Sequence, residues 1–172
     1  MLLETYKERP TYFHLNQGWH FTIASHFNYC DTVWGGCNTK NKNKLQRTQN
    51  YIVKSMLGRK SRDSSEDALK KAHLLTLEDK RKIHGAVYVH KALSGKLPIK
   101  ICQQYHDHQP LRNLRSTERQ TLAIPNHKTE NYKNSPLYRS IHAWNNALTD
   151  IKKLELASFK QKLQAHVQRK AD

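Results

Sequence analysis

Polymer cleavage and nucleotidyl transfer through metal ions need carboxylates that meet in space. The chain offers two adjacent acidic pairs, Glu66-Asp67 and Glu78-Asp79. Each sits just behind a capping residue, in Ser64-Ser65-Glu66-Asp67 and Thr76-Leu77-Glu78-Asp79. Carboxylates at such positions complement the dipole of a helix first turn, so structure accounts for both pairs. No catalytic residue is assigned. Soft metal donors occur as Cys30-x6-Cys37 and as Cys102 followed by His106, Asp107 and His108. These spacings differ from the compact cysteine pairs of structural zinc sites, and no metal site is assigned. Cys30 lies in an apolar run and is expected to be a small buried hydrophobe. There is no Gly-x-Ser-x-Gly elbow and no phosphate-binding glycine loop. Nucleophilic catalysis, a bound cofactor and a small-molecule substrate therefore have no carrier here.

What remains is charge. The 172 residues carry 30 Lys+Arg against 14 Asp+Glu, a formal net charge of +16 and a sequence pI near 9.9. Such a field attracts polyanions, nucleic acid foremost. From Lys40 to Arg62 eight Lys/Arg occur with no Asp or Glu. Like charges at that density repel unless a polyanion compensates them, although a solvated helix face is the plainer alternative. The hydrophobic fraction is 37% and the mean hydropathy is -0.88, so the core must be lean. No apolar run is long enough to span a bilayer, and no basic amphipathic stretch suits its surface. Three cysteines and a start without an apolar leader suit a reducing compartment, so an intracellular, nuclear or cytoplasmic protein is expected. Trp34, Trp144 and Tyr138 could stack on bases, with core packing as the competing role.

The elements that must position these residues are helical. The stretch from Trp19 to Tyr29 is read as a helix. In residues 41–57, Leu45, Gln49, Ile52, Val53 and Met56 make one stripe, with Gly58 as the stop. Ser64 caps a short helix to about Ala72, and Thr76 opens a longer one to Leu93. In that longer helix Ile83, Val87 and His90 share a face, and Gly95 follows as its stop. Pro98 is expected to prevent a restart. Residues 96–134 read as an irregular linker, with a short β element at Gln120–Ile124. Ser135-Pro136 starts a helix to about Ala147, with Leu137, Ile141, Trp144 and Leu148 in step. Ser158 is expected to cap the last helix. There Phe159, Leu163 and Val167 face inward, and Lys160, Lys162, Arg169 and Lys170 outward. Gly35-Gly36 reads as a turn after Trp34. The expected class is mainly α: a short helical bundle, the irregular linker, then C-terminal helices.

Three ordered segments carry a resemblance. Phe27-Asn28-Tyr29-Cys30-Asp31-Thr32-Val33-Trp34-Gly35 resembles a stretch in the thumb region of non-LTR retrotransposon reverse transcriptases. Lys44-Leu45-Gln46-Arg47-Thr48-Gln49-Asn50 through Gly58 looks like the thumb helix of that family. Ser135-Pro136-Leu137-Tyr138-Arg139-Ser140-Ile141-His142-Ala143-Trp144-Asn145 is similar to its tail motif. The chain departs from the family in lacking the Tyr-x-Asp-Asp carboxylates and the fingers and palm around them. Tyr51-Ile52-Val53-Lys54 also stands where the family has Arg-Ala-Ala-Arg. The resemblance divides the chain into an unassigned segment 1–28, a thumb-like helical region 29–95, the linker 96–134 and a helical tail 135–172. It implies a non-catalytic fragment of an RNA-directed DNA polymerase that grips an RNA or DNA backbone without reading sequence. Lys42, Lys44, Arg47, Lys54 and Arg59 would then contact phosphates, joined by Lys40 at the head of the acid-free run. A degenerate remnant of such an element, or a helical interaction module, is the alternative. The sequence sets no oligomeric state.

Overall fold

The computed structural model describes residues 23–107, 120–126 and 128–171. The fold is mainly α. The helices in chain order are α1 (Ala24–Asn28), α2 (Asp31–Trp34), α3 (Thr39–Met56), α4 (Ser65–Lys71), α5 (Leu77–Leu93), α6 (Ile99–His106), α7 (Glu130–Lys133), α8 (Pro136–Asn145), α9 (Thr149–Lys152) and α10 (Leu156–Ala171). Of the expected first helix, Trp19 to Thr22 lie outside the described residues, as do His108, Pro110 and the Lys170 side chain.

The chain forms two compact units. Among the described residues, one takes those up to Asp31 and Asn38–Leu77; the other takes Thr32–Cys37 and those from Glu78 onward. In the first unit Ala24, Val53, Ala68, Leu69 and Leu74 are buried together, with Ile23, Phe27, Ile52, Met56 and Leu57 packed around them. Side chains at three- and four-residue steps along α3 build one wall of this core, as the stripe predicts. Three of its turns end or begin as their residues require. The Asn38 side chain accepts from Asn41 N–H to start α3, and Ser64 accepts from Asp67 N–H to start α4. At the end of α3, Gly58 adopts φ +63°. It lets Gly58 and Arg59 N–H reach the Ser55 and Lys54 carbonyls, the paired bonds of a Schellman stop. The stop of α4 has the same bonds, from His73 to Lys70 and from Leu74 to Leu69, with His73 at φ +53°.

The second unit is centred on an aromatic group. The His90 ring stacks on Phe159 at 4.8 Å, and Trp144 lies 5.7 Å from Phe159, all centroid to centroid. Ile83, Ala86, Val89, Ile141, Ile151 and Leu163 are buried in the same unit. His90 Nε2 lies 2.9 Å from the Leu154 carbonyl, which can only accept, so Nε2 carries the proton. Ser140 Oγ donates to the Leu137 carbonyl at 3.0 Å, which leaves Tyr105 O–H to donate to Ser140 at 2.7 Å. Ser135 caps α8 by accepting from Tyr138 N–H, with Pro136 at the first helical position.

Several expectations are corrected here. No strand occurs among the described residues, and the expected β element at Gln120–Ile124 is irregular, with Gln120 at φ +48°. Its backbone groups bond to side chains of α8 instead of another strand. Asn145 accepts from Leu122 N–H and donates to the Leu122 carbonyl, both at 2.9 Å. Trp144 Nε1 donates to the Gln120 carbonyl at 2.7 Å. Pro98 does not prevent a restart. It precedes α6, where its missing N–H is no loss, and its carbonyl accepts from Ile101 and Cys102. The last helix begins at Leu156, so Ser158 lies inside it and does not cap it. Leu148 is exposed, because α8 ends at Asn145 and Leu148 falls in the bend before α9. Cys30 is exposed, not buried: it sits at φ +50° in the turn between α1 and α2.

Candidate nucleic-acid interface

The side chains of α3 sort by their position around the helix. Gln49 and Val53 are buried, and Leu45, Ile52 and Met56 are partly buried beside them. Lys40, Lys44 and Arg47 are exposed and lie at i, i+4 and i+7, on the opposite face. Among the described residues none of these three has a carboxylate partner. The other three candidates stand elsewhere. Lys42 is half-buried and falls in step with Leu45 and Gln49, on the core side. Lys54 is half-buried, and its ammonium donates to the Ser61 carbonyl at 2.9 Å, which braces the turn after α3. Arg59 is half-buried just past the Gly58 stop. The turn is ordered by Lys60 N–H donating to the Asp63 carboxylate at 2.9 Å, and it leaves Lys60 and Arg62 exposed.

One residue of this face was read only as a departure from the resembled family. Tyr51 lies four positions past Arg47 and is 71% exposed. The signal for it was present in the spacing, since Lys44 and Tyr51 are seven apart and a seven-residue step returns to the same helix face.

The polar residues of the same segment have a structural use. Gln49 is fully buried, and its amide donates to the Leu75 carbonyl at 3.0 Å. Gln46 donates to Gln49 Oε1 and to Asn50 Oδ1, each at 2.8 Å, and accepts from Leu77 N–H at 2.9 Å. Two glutamines thus satisfy a carbonyl and an amide of the chain leading into α5.

The other sequence candidates for base stacking are built into the second unit. Trp144 is buried. The guanidinium of Arg81 lies over the Trp34 ring, 4.8 Å from its centroid. Tyr138 is half-buried, 4.7 Å from the His142 ring. The acidic pairs stand where the capping signals put them. Glu66 and Asp67 are in the first turn of α4, and Glu78 and Asp79 in that of α5. Lys82 pairs with Glu78 at 3.4 Å and with Asp79 at 3.1 Å. Burial works to lower the Lys82 ammonium pKa, but these carboxylates outweigh it and raise the group overall. Among the described residues no group of three His, Cys, Asp or Glu could hold a metal ion. No helix there is long and apolar enough to cross a membrane.

No family model, curated protein or solved structure matches this chain.

Proposed function

We propose that the protein binds nucleic acid through its phosphate backbone, without sequence readout and without chemistry of its own. The observation that carries this reading is the exposed face of α3. Lys40, Lys44 and Arg47 line it without carboxylate partners among the described residues, inside an acid-free run of eight cations. Point charges on flexible stems contact phosphates and position a strand, but they do not discriminate bases. The resemblance to reverse transcriptase thumb and tail segments supports the same reading, with template–primer nucleic acid, which holds both paired and unpaired strand, as the ligand of such a fragment. The two acidic pairs add no catalytic step to this reading, since their carboxylates serve helix first turns.

The test is equilibrium binding of the full chain to an RNA–DNA duplex over a range of salt. Affinity should fall steeply, with log Kd linear in log salt at about 0.9 per phosphate neutralised. Absence of binding at low salt, or a flat salt dependence, would overturn the proposal.

A further inference from the structure

We infer that the α3 face takes an unpaired strand, with Tyr51 as a stacking platform for one base. This deepens the backbone-binding proposal and rests on it. Tyr51 shares the face of Lys40, Lys44 and Arg47, at i+11, i+7 and i+4 from them. At about 1.5 Å of rise per residue, Arg47 and Tyr51 stand about 6 Å apart along the axis. Tyr51 is 71% exposed, and among the described residues its side chain has no ring, hydrogen-bond or ionic partner. Its geometry is that of sequence-tolerant single-strand binding, in which cations follow the backbone and an aromatic face meets a base. A scattered exposed tyrosine needs no special account. This one is the sole aromatic on a helix face whose other long side chains are cations. It is also stiff, with only two side-chain torsions, so ordering it against a base is cheap in entropy. A paired duplex hides its base faces within the stack and offers a protruding ring only sugar and phosphate. An unpaired strand offers a free π face.

The experiment compares the full chain with its Tyr51→Ala, Tyr51→Phe and Arg47→Gln variants. The probes are a fluorescent oligothymidylate, an abasic strand of the same length and a blunt RNA–DNA duplex. Tyr51→Ala should weaken oligothymidylate binding about tenfold, within the range of base–aromatic stacking. It should leave the salt slope and the abasic affinity unchanged. Tyr51→Phe should bind like the parent chain. Arg47→Gln should weaken all three probes and lower the slope on single strands by about 0.7. If Tyr51→Ala binds oligothymidylate as tightly as the parent while Arg47→Gln still weakens it, backbone binding stands and the stacking role is overturned. If the parent chain binds none of the probes at low salt, the backbone reading falls and the stacking role with it.

Discussion

Gln49 shows how a single side chain can belong to the core and still be polar. It replaces an apolar residue in the α3 stripe at no net loss, because its amide meets the Leu75 carbonyl and its oxygen accepts from Gln46. Replacing it by leucine keeps the volume and removes the partner. Gln49→Leu is therefore expected to cost about 1–3 kcal/mol, the desolvation penalty of an orphaned buried carbonyl. A urea unfolding midpoint equal to that of the parent would show that the relay contributes nothing. Lys152 is a second case. It is 5% exposed, with its ammonium 5.3 Å from the centroid of the Trp144 ring, and burial pushes its pKa down to about 8. The unfolded chain then holds a proton that the folded chain has lost between about pH 8 and the ordinary lysine value near 10.5. Stability from this group is thus present above that window and lost as pH falls through it, with a slope of at most about 1.4 kcal/mol per pH unit. The Tyr105 hydroxyl, pushed up by burial, adds the opposite slope only above its ordinary value of 10.0. Lys152→Met should be more thermostable than the parent at pH 7.5, with the gap narrower at pH 9.5. Parallel melting curves across that range would refute the shift.

At the scale of elements, two glycines make opposite demands. Gly36 ends the turn after Trp34, where Cys37 N–H reaches the Trp34 carbonyl. A Cβ placed on it would lie 2.1 Å from the Asn134 carbonyl oxygen, an atom of the backbone just before α8. Gly85 sits inside α5, and a Cβ there would meet Ser140 of α8 no closer than 3.4 Å. Gly36→Ala should destabilise by about 1–3 kcal/mol through overpacking. Gly85→Ala should stabilise by up to about 1 kcal/mol, since alanine loses less conformational freedom in a helix. Thermal melts of the two variants should move in opposite directions; a shift of the same sign in both would contradict the packing described. The caps were the most legible part of these elements. Ser64 and Ser135 act as read, because a cap needs only a side-chain oxygen three residues before an open N–H. Gln120–Ile124 was misread for the converse reason. A short strand-like run of residues says nothing of the partner that would make it a strand, and here side chains of Asn145 and Trp144 take up its backbone groups.

At the scale of the molecule the dominant quantity is the charge of +16. Much of it stands on helix faces that the packed units leave to solvent, Lys40, Lys44 and Arg47 on α3 and Lys160, Lys162 and Arg169 on α10. The α3 cations are predicted to account for the salt dependence of duplex binding. Changing Lys40, Lys44 and Arg47 together to glutamine should reduce the slope by about 2.7, three phosphate contacts at about 0.9 each. The three side chains are exposed, so the melting temperature should hardly change. An unaltered slope would move the interface to other cations, with those of α10 the next to test.

Taken by itself, the sequence determined what depends on near neighbours in the chain. The helical class, the capped starts at Ser64 and Ser135, the glycine stops at Gly58 and Gly95 and the basic face of α3 all follow from spacing within a few residues. Tertiary structure decided what depends on groups distant in the chain. It buried Gln49 against Leu75, laid Arg81 over Trp34, bonded residues 120–122 to α8 and left Cys30 exposed where an apolar run suggested burial. It also divided the basic candidates, turning Lys42 toward the core, fastening Lys54 to Ser61 and leaving Tyr51 exposed on the face of Arg47. A helix period says which residues share a face; only packing says which face meets water.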